Sequence, residues 1–209
     1  MMVYARGARK PKSKFLSGAQ IFTYADYVLA EGRGFYSVNQ ADVIESFYSI
    51  RKDYDSLVAA YSIVGICEKS LLDNMPADEL LLLALKSLSL LSKGSFPSLQ
   101  ISAVFLIRFF LWNGLAPEVE RCGTCDTPLA KIQNVLFTAE GILCKNHMPS
   151  GEQTNSFTIS KSAAHALLHI LTNSMPQSFS FRASDTVINE LQKIGRTLWN
   201  GHFEGNLAD

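Results

Sequence analysis

The chain has 209 residues, and 47% of them are hydrophobic, so it can bury a substantial core as one large domain or two small ones. Its 19 basic and 19 acidic side chains cancel, and the net charge therefore favours no class of partner. No run reaches the roughly 18 uncharged apolar residues that a membrane span requires. The nearest, Leu99–Leu115, is interrupted by Gln100 and Arg108 and is interpreted as a buried helix.

The first fifty residues are predicted to form β structure. Short apolar runs rich in aromatic and β-branched residues recur between polar loops, as is typical of strands. They are Val3–Ala5, Ile21–Phe22, Tyr27–Leu29 and Phe35–Val38, with Asn39–Ser49 as a further strand or turn. Gly32 and Gly34 are expected to supply positive φ angles for the turn between two of these strands.

From Arg51 onward the apolar residues recur at helical spacing. Helices are expected within residues 51–74, 76–93, 97–113, 159–171 and 184–199. Ser160 and Ser184 are predicted N-caps, and Gly94 and the pair Asn113–Gly114 are predicted ends. Strands first and helices afterwards predict an α+β fold with a boundary near residue 50.

Positive charge is concentrated at the beginning of the chain. Residues 1–14 hold five basic side chains and no acidic one, so the remainder carries −5. The five are Arg6, Arg9, Lys10, Lys12 and Lys14, and we call residues 6–14 the basic segment. Aromatic residues near it and Arg33 in the following turn favour a nucleic-acid surface, because bases stack on aromatic rings beside phosphate-binding cations. A solvated terminus is the alternative.

A metal-binding pattern contains three of the four cysteines. Cys122 and Cys125 are separated by two residues, and after eighteen more residues come Cys144 and His147 with the same gap. A hairpin at Val135–Gly141 would bring the second pair back to the first. Four such ligands make a closed, structural zinc site, whereas a catalytic zinc keeps one position open.

The sequence gives weaker evidence for other kinds of chemical site. A redox dithiol of the thioredoxin type should follow a strand and begin a helix, but Cys122 follows a helical segment and Pro128 comes soon after Cys125. A disulfide is the other alternative, although no secretory signal is recognised. His165 and His169 lie four residues apart without a third ligand, and Cys67 is interpreted as a small core residue. No catalytic constellation is found.

Several stretches together resemble the RecO family of bacterial DNA repair and recombination proteins. They are Ala5–Phe15, Gly32–Gly34, Leu111–Pro117 and Arg121–Cys125, and the resemblance covers nearly the whole chain. It implies an N-terminal OB-fold for DNA binding in residues 1–50, helical segments in 51–118 and 151–209, and a zinc-binding insertion in 119–150. Family members usually carry about forty residues ahead of the basic segment, so we expect an incomplete barrel with exposed edges.

The resemblance also implies a function without enzymatic turnover. It implies binding of single- and double-stranded DNA, annealing of complementary strands and recombinase loading, with RecR and the single-stranded DNA-binding protein as partners. It further implies a cytoplasmic, nucleoid-associated location, with no membrane and no small-molecule substrate. Arg6, Arg9, Lys10, Lys12, Lys14 and Arg33 are the expected phosphate contacts. A protein-interaction adaptor with a structural zinc and a thiol oxidoreductase using Cys122 and Cys125 are the alternatives.

Overall fold

Strands occupy the beginning of the chain, as predicted. This computed structural model describes residues 3–32, 34–72, 75–147 and 156–203. The strands β1 (Val3–Tyr4), β2 (Tyr24–Glu31) and β3 (Tyr36–Glu45) form a sheet of order β1-β3-β2. β1 is parallel to β3, and β2 and β3 form an antiparallel hairpin. Over the described residues the sheet stays open and closes into no barrel.

Two details of this sheet differ from the prediction. Ile21 and Phe22 precede β2 instead of forming a strand, because Phe22 adopts a left-handed backbone (φ 64°) that β structure excludes. Of the two turn glycines, Gly34 has a positive φ (80°) and Gly32 does not. Gly32 instead donates its N–H to the carbonyl of Phe35 at 2.8 Å.

Five helices follow among the described residues, and this confirms the α+β fold. They are α1 (Tyr54–Ser70), α2 (Asp78–Lys93), α3 (Ser98–Trp112), α4 (Lys161–Thr172) and α5 (Asp185–His202). The predicted caps are confirmed: Ser160 and Ser184 accept from backbone N–H groups of the first turn. Gly94 and Gly114 take the left-handed conformation that ends α2 and α3. The expected end of α1 at Asn74 lies outside the described residues.

α3 is the central helix of the molecule. It packs against α1, α2, α4 and α5, and Phe105, Phe109 and Phe110 are fully buried. Its two polar interruptions are satisfied: the Gln100 side chain donates to the carbonyl of Phe181, and Arg108 donates to two carbonyls at the end of α4. The interpretation of this segment as a buried helix is confirmed, and no helix in the described parts is long and apolar enough to cross a membrane.

A second small sheet lies between α3 and α4. It has the order β5-β4-β6, all antiparallel, with β4 at Val135–Phe137, β5 at Ile142–Cys144 and β6 at Phe157–Ile159. The predicted hairpin β4–β5 is confirmed. No strand was predicted at β6, and Ile159 was expected to begin the fourth helix. β6 pairs with β4 because Phe157 packs on Phe137, with ring centroids 5.6 Å apart, and Ile159 is buried.

Candidate metal centre and nucleic-acid interface

The first cysteine pair lies on a tight turn between two strand-like segments. The N–H of Cys122 donates to the carbonyl of Thr127 at 2.9 Å, and the N–H of Asp126 donates back to the carbonyl of Cys122 at 3.0 Å. Asp126 takes a left-handed backbone (φ 55°) to close the turn. The turn therefore points both thiols to one side, and the pair begins no helix, unlike a thioredoxin-type dithiol.

The second pair comes from the end of β5. Cys144 is the last residue of that strand, and His147 ends the single 3-10 turn Lys145–His147. Two hydrogen bonds join the halves of the site: the N–H of Gly123 donates to the carbonyl of Ile142 at 3.0 Å, and the N–H of Cys144 donates to Cys122 Sγ at 3.3 Å. Backbone donors thus connect the two halves of the site.

The four predicted ligands come together. The thiol sulfurs of Cys122, Cys125 and Cys144 and a ring nitrogen of His147 all lie within 4.8 Å of one another. Zinc–sulfur bonds of about 2.3 Å place two thiolates of a tetrahedron about 3.8 Å apart, and Cys125 Sγ and Cys144 Sγ are 3.8 Å apart. Nδ1 of His147 lies 3.1 Å from Cys144 Sγ and 3.8 Å from Cys122 Sγ. This donor set fits a closed tetrahedral metal site.

The protonation of the site also suits a metal. Burial raises the pKa of the Cys122 thiol, but hydrogen bonds from the backbone N–H groups of Thr124, Cys144 and Cys125 outweigh it and lower the pKa to about 6. Desolvation and the neighbouring thiols raise the pKa of Cys144. Cys122 therefore becomes a thiolate, the form that binds a metal ion, more readily than Cys144.

The remaining sulfur and imidazole groups form no such cluster. All four cysteines are free. Burial raises the pKa of Cys67 to about 11, so this thiol is inert. His165 is exposed, and Nε2 of His169 lies 3.1 Å from the carbonyl of Gln177. Within the described ranges, the Cys122–His147 set is the one group of three or more such ligands close enough to share an ion.

Gly141 was predicted as the end of the hairpin, but its close approach to Glu118 was not predicted. It has a φ of 153°, and a Cβ on it would lie 2.3 Å from the carbonyl oxygen of Glu118. That close approach lets Glu118 bond to the residues on either side of Gly141: its carbonyl accepts from the N–H of Ile142, and its N–H donates to the carbonyl of Glu140. The glycine between β4 and β5 thus allows the strand that ends in Cys144 to bond to the chain just before Cys122.

The basic segment is folded as consecutive tight turns. Backbone N–H groups of Ala8, Lys10 and Ser13 each donate to the carbonyl three residues earlier. Every predicted cation in it is exposed: Arg6, Arg9, Lys10, Lys12 and Lys14. Lys14 donates to the carbonyl of Asn39 on β3 and lies 4.8 Å from the ring centroid of Phe15. The segment is therefore bound to the open sheet, and Arg33 lies outside the described residues.

Comparisons with known proteins agree with this arrangement. The family described as "Recombination protein O C terminal" matches residues 51–208, and "Recombination protein O N terminal" matches residues 1–47. The chain is 38% identical over 202 residues to the DNA repair protein RecO of Acetivibrio thermocellus, covering 97% of this chain and 80% of that protein. It is 26% identical to the RecO of Alkaliphilus metalliredigens, covering 91% and 76%.

The fold, the site and these matches indicate an α+β protein of DNA repair and recombination that carries a candidate metal centre. The chain belongs to the RecO family. The resemblance seen in the basic segment and the cysteine pattern is confirmed.

Proposed function

We propose that this protein is a non-enzymatic DNA-binding factor that anneals complementary strands during recombinational repair. The observation that carries the proposal is the basic segment, in which five exposed cations are held on the open sheet while the rest of the chain is net negative. Such a concentrated patch attracts phosphates of any sequence through counterion release. Neutralising the backbones of two strands lets them approach, and base pairing then supplies the specificity.

The open sheet would serve as the DNA-binding platform. β1, β2 and β3 are interpreted as part of an OB-fold, residues 1–50, in which a β surface with aromatic side chains follows single strands. Arg6, Arg9, Lys10, Lys12, Lys14 and Arg33 would contact phosphates. Residues 51–118 and 151–209 would form the helical domain, and residues 119–150 its insertion.

The insertion would be fixed by zinc. Cys122, Cys125, Cys144 and His147 would hold the ion with no open position, so the metal would supply structure and no reaction step. The ion would join the turn after α3 to the end of β5. The described part of the connection between α3 and α4 contains strands of only three residues each, so a metal crosslink would add to its stability.

The family relationship suggests partners. RecR and the single-stranded DNA-binding protein would meet this protein on DNA in the cytoplasm, and recombinase loading would follow. An alternative is a protein-interaction adaptor whose working surface is helical. It is favoured by exposed leucines near α2, where Leu72 is 78% and Leu82 is 56% exposed, because exposed apolar patches mark interaction sites.

A strand-annealing assay distinguishes the DNA-annealing factor from the protein-interaction adaptor. The protein is mixed with two complementary fluorescent oligonucleotides without nucleotide cofactors, and duplex formation is followed with time. We expect acceleration by the parent and a large loss in the variant Arg6→Ala with Arg9→Ala. The matched control is Lys131→Ala with Lys161→Ala, which removes the same charge from exposed positions outside the basic segment. No acceleration by the parent would favour the adaptor.

A further inference from the structure

A second aromatic–cation cluster lies at the junction between the sheet and the helices. It is formed by the short 3-10 helix Tyr48–Lys52, which follows β3. Lys52 Nζ lies 5.1 Å and Arg51 Cζ 5.7 Å from the centroid of the Tyr48 ring. Tyr48 is nevertheless 59% exposed, so two cations lie near its ring while more than half of the residue's surface faces solvent. We call Tyr48, Arg51 and Lys52 the junction cluster.

Packing and hydrogen bonds fix the junction cluster to the neighbouring elements. Ile50 is fully buried between its members, and the 3-10 helix packs against both α1 and α2. Ser49 bonds to Ser92 near the end of α2 at 2.6 Å. The guanidinium of Arg51 donates to the carbonyl of Ile21, on the turn between the basic segment and β2. The ring is therefore presented on a fixed base, as a stacking surface must be.

The nearest carboxylates in the chain are directed elsewhere. Glu45 accepts from the backbone N–H groups of Ser46 and Phe47, and Asp53 accepts from the N–H of Ser56 as the N-cap of α1. Asp53 and Asp55 also line a cavity of about 1000 Å³ between α1, α3 and α5, which none of the junction cluster lines. The positive side chains thus remain around the exposed ring.

We propose that Tyr48 is a base-stacking site for single-stranded DNA, with Lys52 and Arg51 binding the adjoining phosphates. This inference deepens the DNA-binding function proposed above and rests on it. An exposed ring beside fixed cations is the combination that binds unpaired nucleotides without regard to sequence, because every base has a stacking face. Arg51 connects the junction cluster to the turn that follows the basic segment. The junction cluster and the basic segment would therefore bind the same DNA strand.

The test compares Tyr48→Ala with the parent on a dT oligonucleotide and on an oligonucleotide of the same length made of abasic sites. Loss of one stacked base weakens binding about 5-fold or more. We expect this loss on the oligonucleotide with bases and none on the abasic one, which carries equal charge. Tyr48→Phe should bind like the parent. Tyr54→Ala, which removes a tyrosine that is 77% exposed at the start of α1, is the control and should have no effect.

A direct readout accompanies the affinities. Photocrosslinking with 5-iododeoxyuridine should attach the oligonucleotide to the peptide that contains Tyr48. If Tyr48→Ala binds both oligonucleotides like the parent, the proposed stacking site is wrong. If the loss is equal on both, the ring acts only by positioning charge, and the proposal is also overturned. The variant Lys10→Ala with Lys12→Ala is measured in parallel, because its loss of binding shows that the wider DNA function stands even if Tyr48 fails.

Discussion

Phe22 and Tyr61 meet edge to face, with ring centroids 5.1 Å apart and planes at 76°, and this contact attaches the sheet to α1. Phe22 precedes β2 and Phe47 follows β3. Both are buried, and both take a left-handed backbone, with φ of 64° and 44°. Non-glycine residues rarely adopt this conformation. The hairpin is therefore anchored at each end by a phenylalanine whose burial outweighs its backbone strain.

Truncation of Phe22 should release this anchor. Phe22→Ala is expected to lower the free energy of unfolding by about 3–5 kcal/mol, as for other buried phenylalanines. Phe22→Gly should be at least as stable as Phe22→Ala, because glycine adopts positive φ without the penalty that alanine keeps. Guanidinium unfolding of the three proteins measures both differences. A glycine variant clearly less stable than the alanine variant would show that no backbone strain exists at this position.

Zinc content should depend on the four clustered ligands. The purified protein is expected to hold one zinc per chain, and Cys122→Ser or Cys144→Ser should lose it and melt earlier, because metal binding contributes to folding at such sites. His147→Cys should keep the metal, since zinc accepts either ligand. Cys67→Ser is the control and should retain zinc. Metal analysis measures the zinc content, and thermal melts measure the stability. A metal-free parent with normal stability would contradict the proposal that these residues bind zinc.

Gly141 should be needed for the metal centre although it is no ligand. Gly141→Ala places a Cβ 2.3 Å from the carbonyl oxygen of Glu118, so the bonds between this chain segment and the hairpin must break. We expect faster loss of zinc to a chelator. Gly123→Ala is the matched control, because its Cβ would lie 3.7 Å from the Leu143 side chain, an ordinary contact. Equal release from the two variants would show that the close approach is unimportant.

Asp53 should make the start of α1 sensitive to acid. Hydrogen bonding with Ser56 lowers the pKa of its carboxyl group below the ordinary 3.8. A lowered folded-state pKa gives stability that is present above the unfolded value and lost as the pH falls through the folded one. Asp53→Asn keeps a capping oxygen but does not titrate. The melting difference between parent and Asp53→Asn should therefore shrink as the pH falls below 3.8, and a difference constant with pH would contradict this role.

Local chemistry made much of the fold predictable. Ser160 before α4 and Gly114 after α3 mark helix ends with residues that satisfy free backbone groups or accept left-handed angles. The clustering of Cys122 with His147 was predictable because their spacing in sequence indicates side chains that can meet at one ion. The helices could be predicted from the periodicity of their own apolar residues, without knowing which elements they pack against.

The features that were missed depend on contacts distant in sequence. β6 exists because Phe157 packs on Phe137 of a strand twenty residues earlier. No local preference predicts a left-handed Phe22, since bulky residues disfavour it. The junction cluster was not predicted, because Arg51 and Lys52 were assigned to the start of a helix that did not include Tyr48. The helical turn begins at Tyr48, within residues that were expected to form a strand or turn, and this places Arg51 and Lys52 on the same face as the ring.

The central claim is that the basic segment binds DNA phosphates, and the salt dependence of binding to a single-stranded oligonucleotide tests it most directly. The logarithm of the affinity should fall linearly with the logarithm of salt concentration, by about 0.7 per phosphate neutralised. Lys10→Ala with Lys12→Ala should reduce the slope by roughly 1.4 and weaken binding alike for all sequences. Lys131→Ala with Lys161→Ala should leave the slope unchanged. An unchanged slope in the Lys10, Lys12 variant, with parental affinity, would contradict the account.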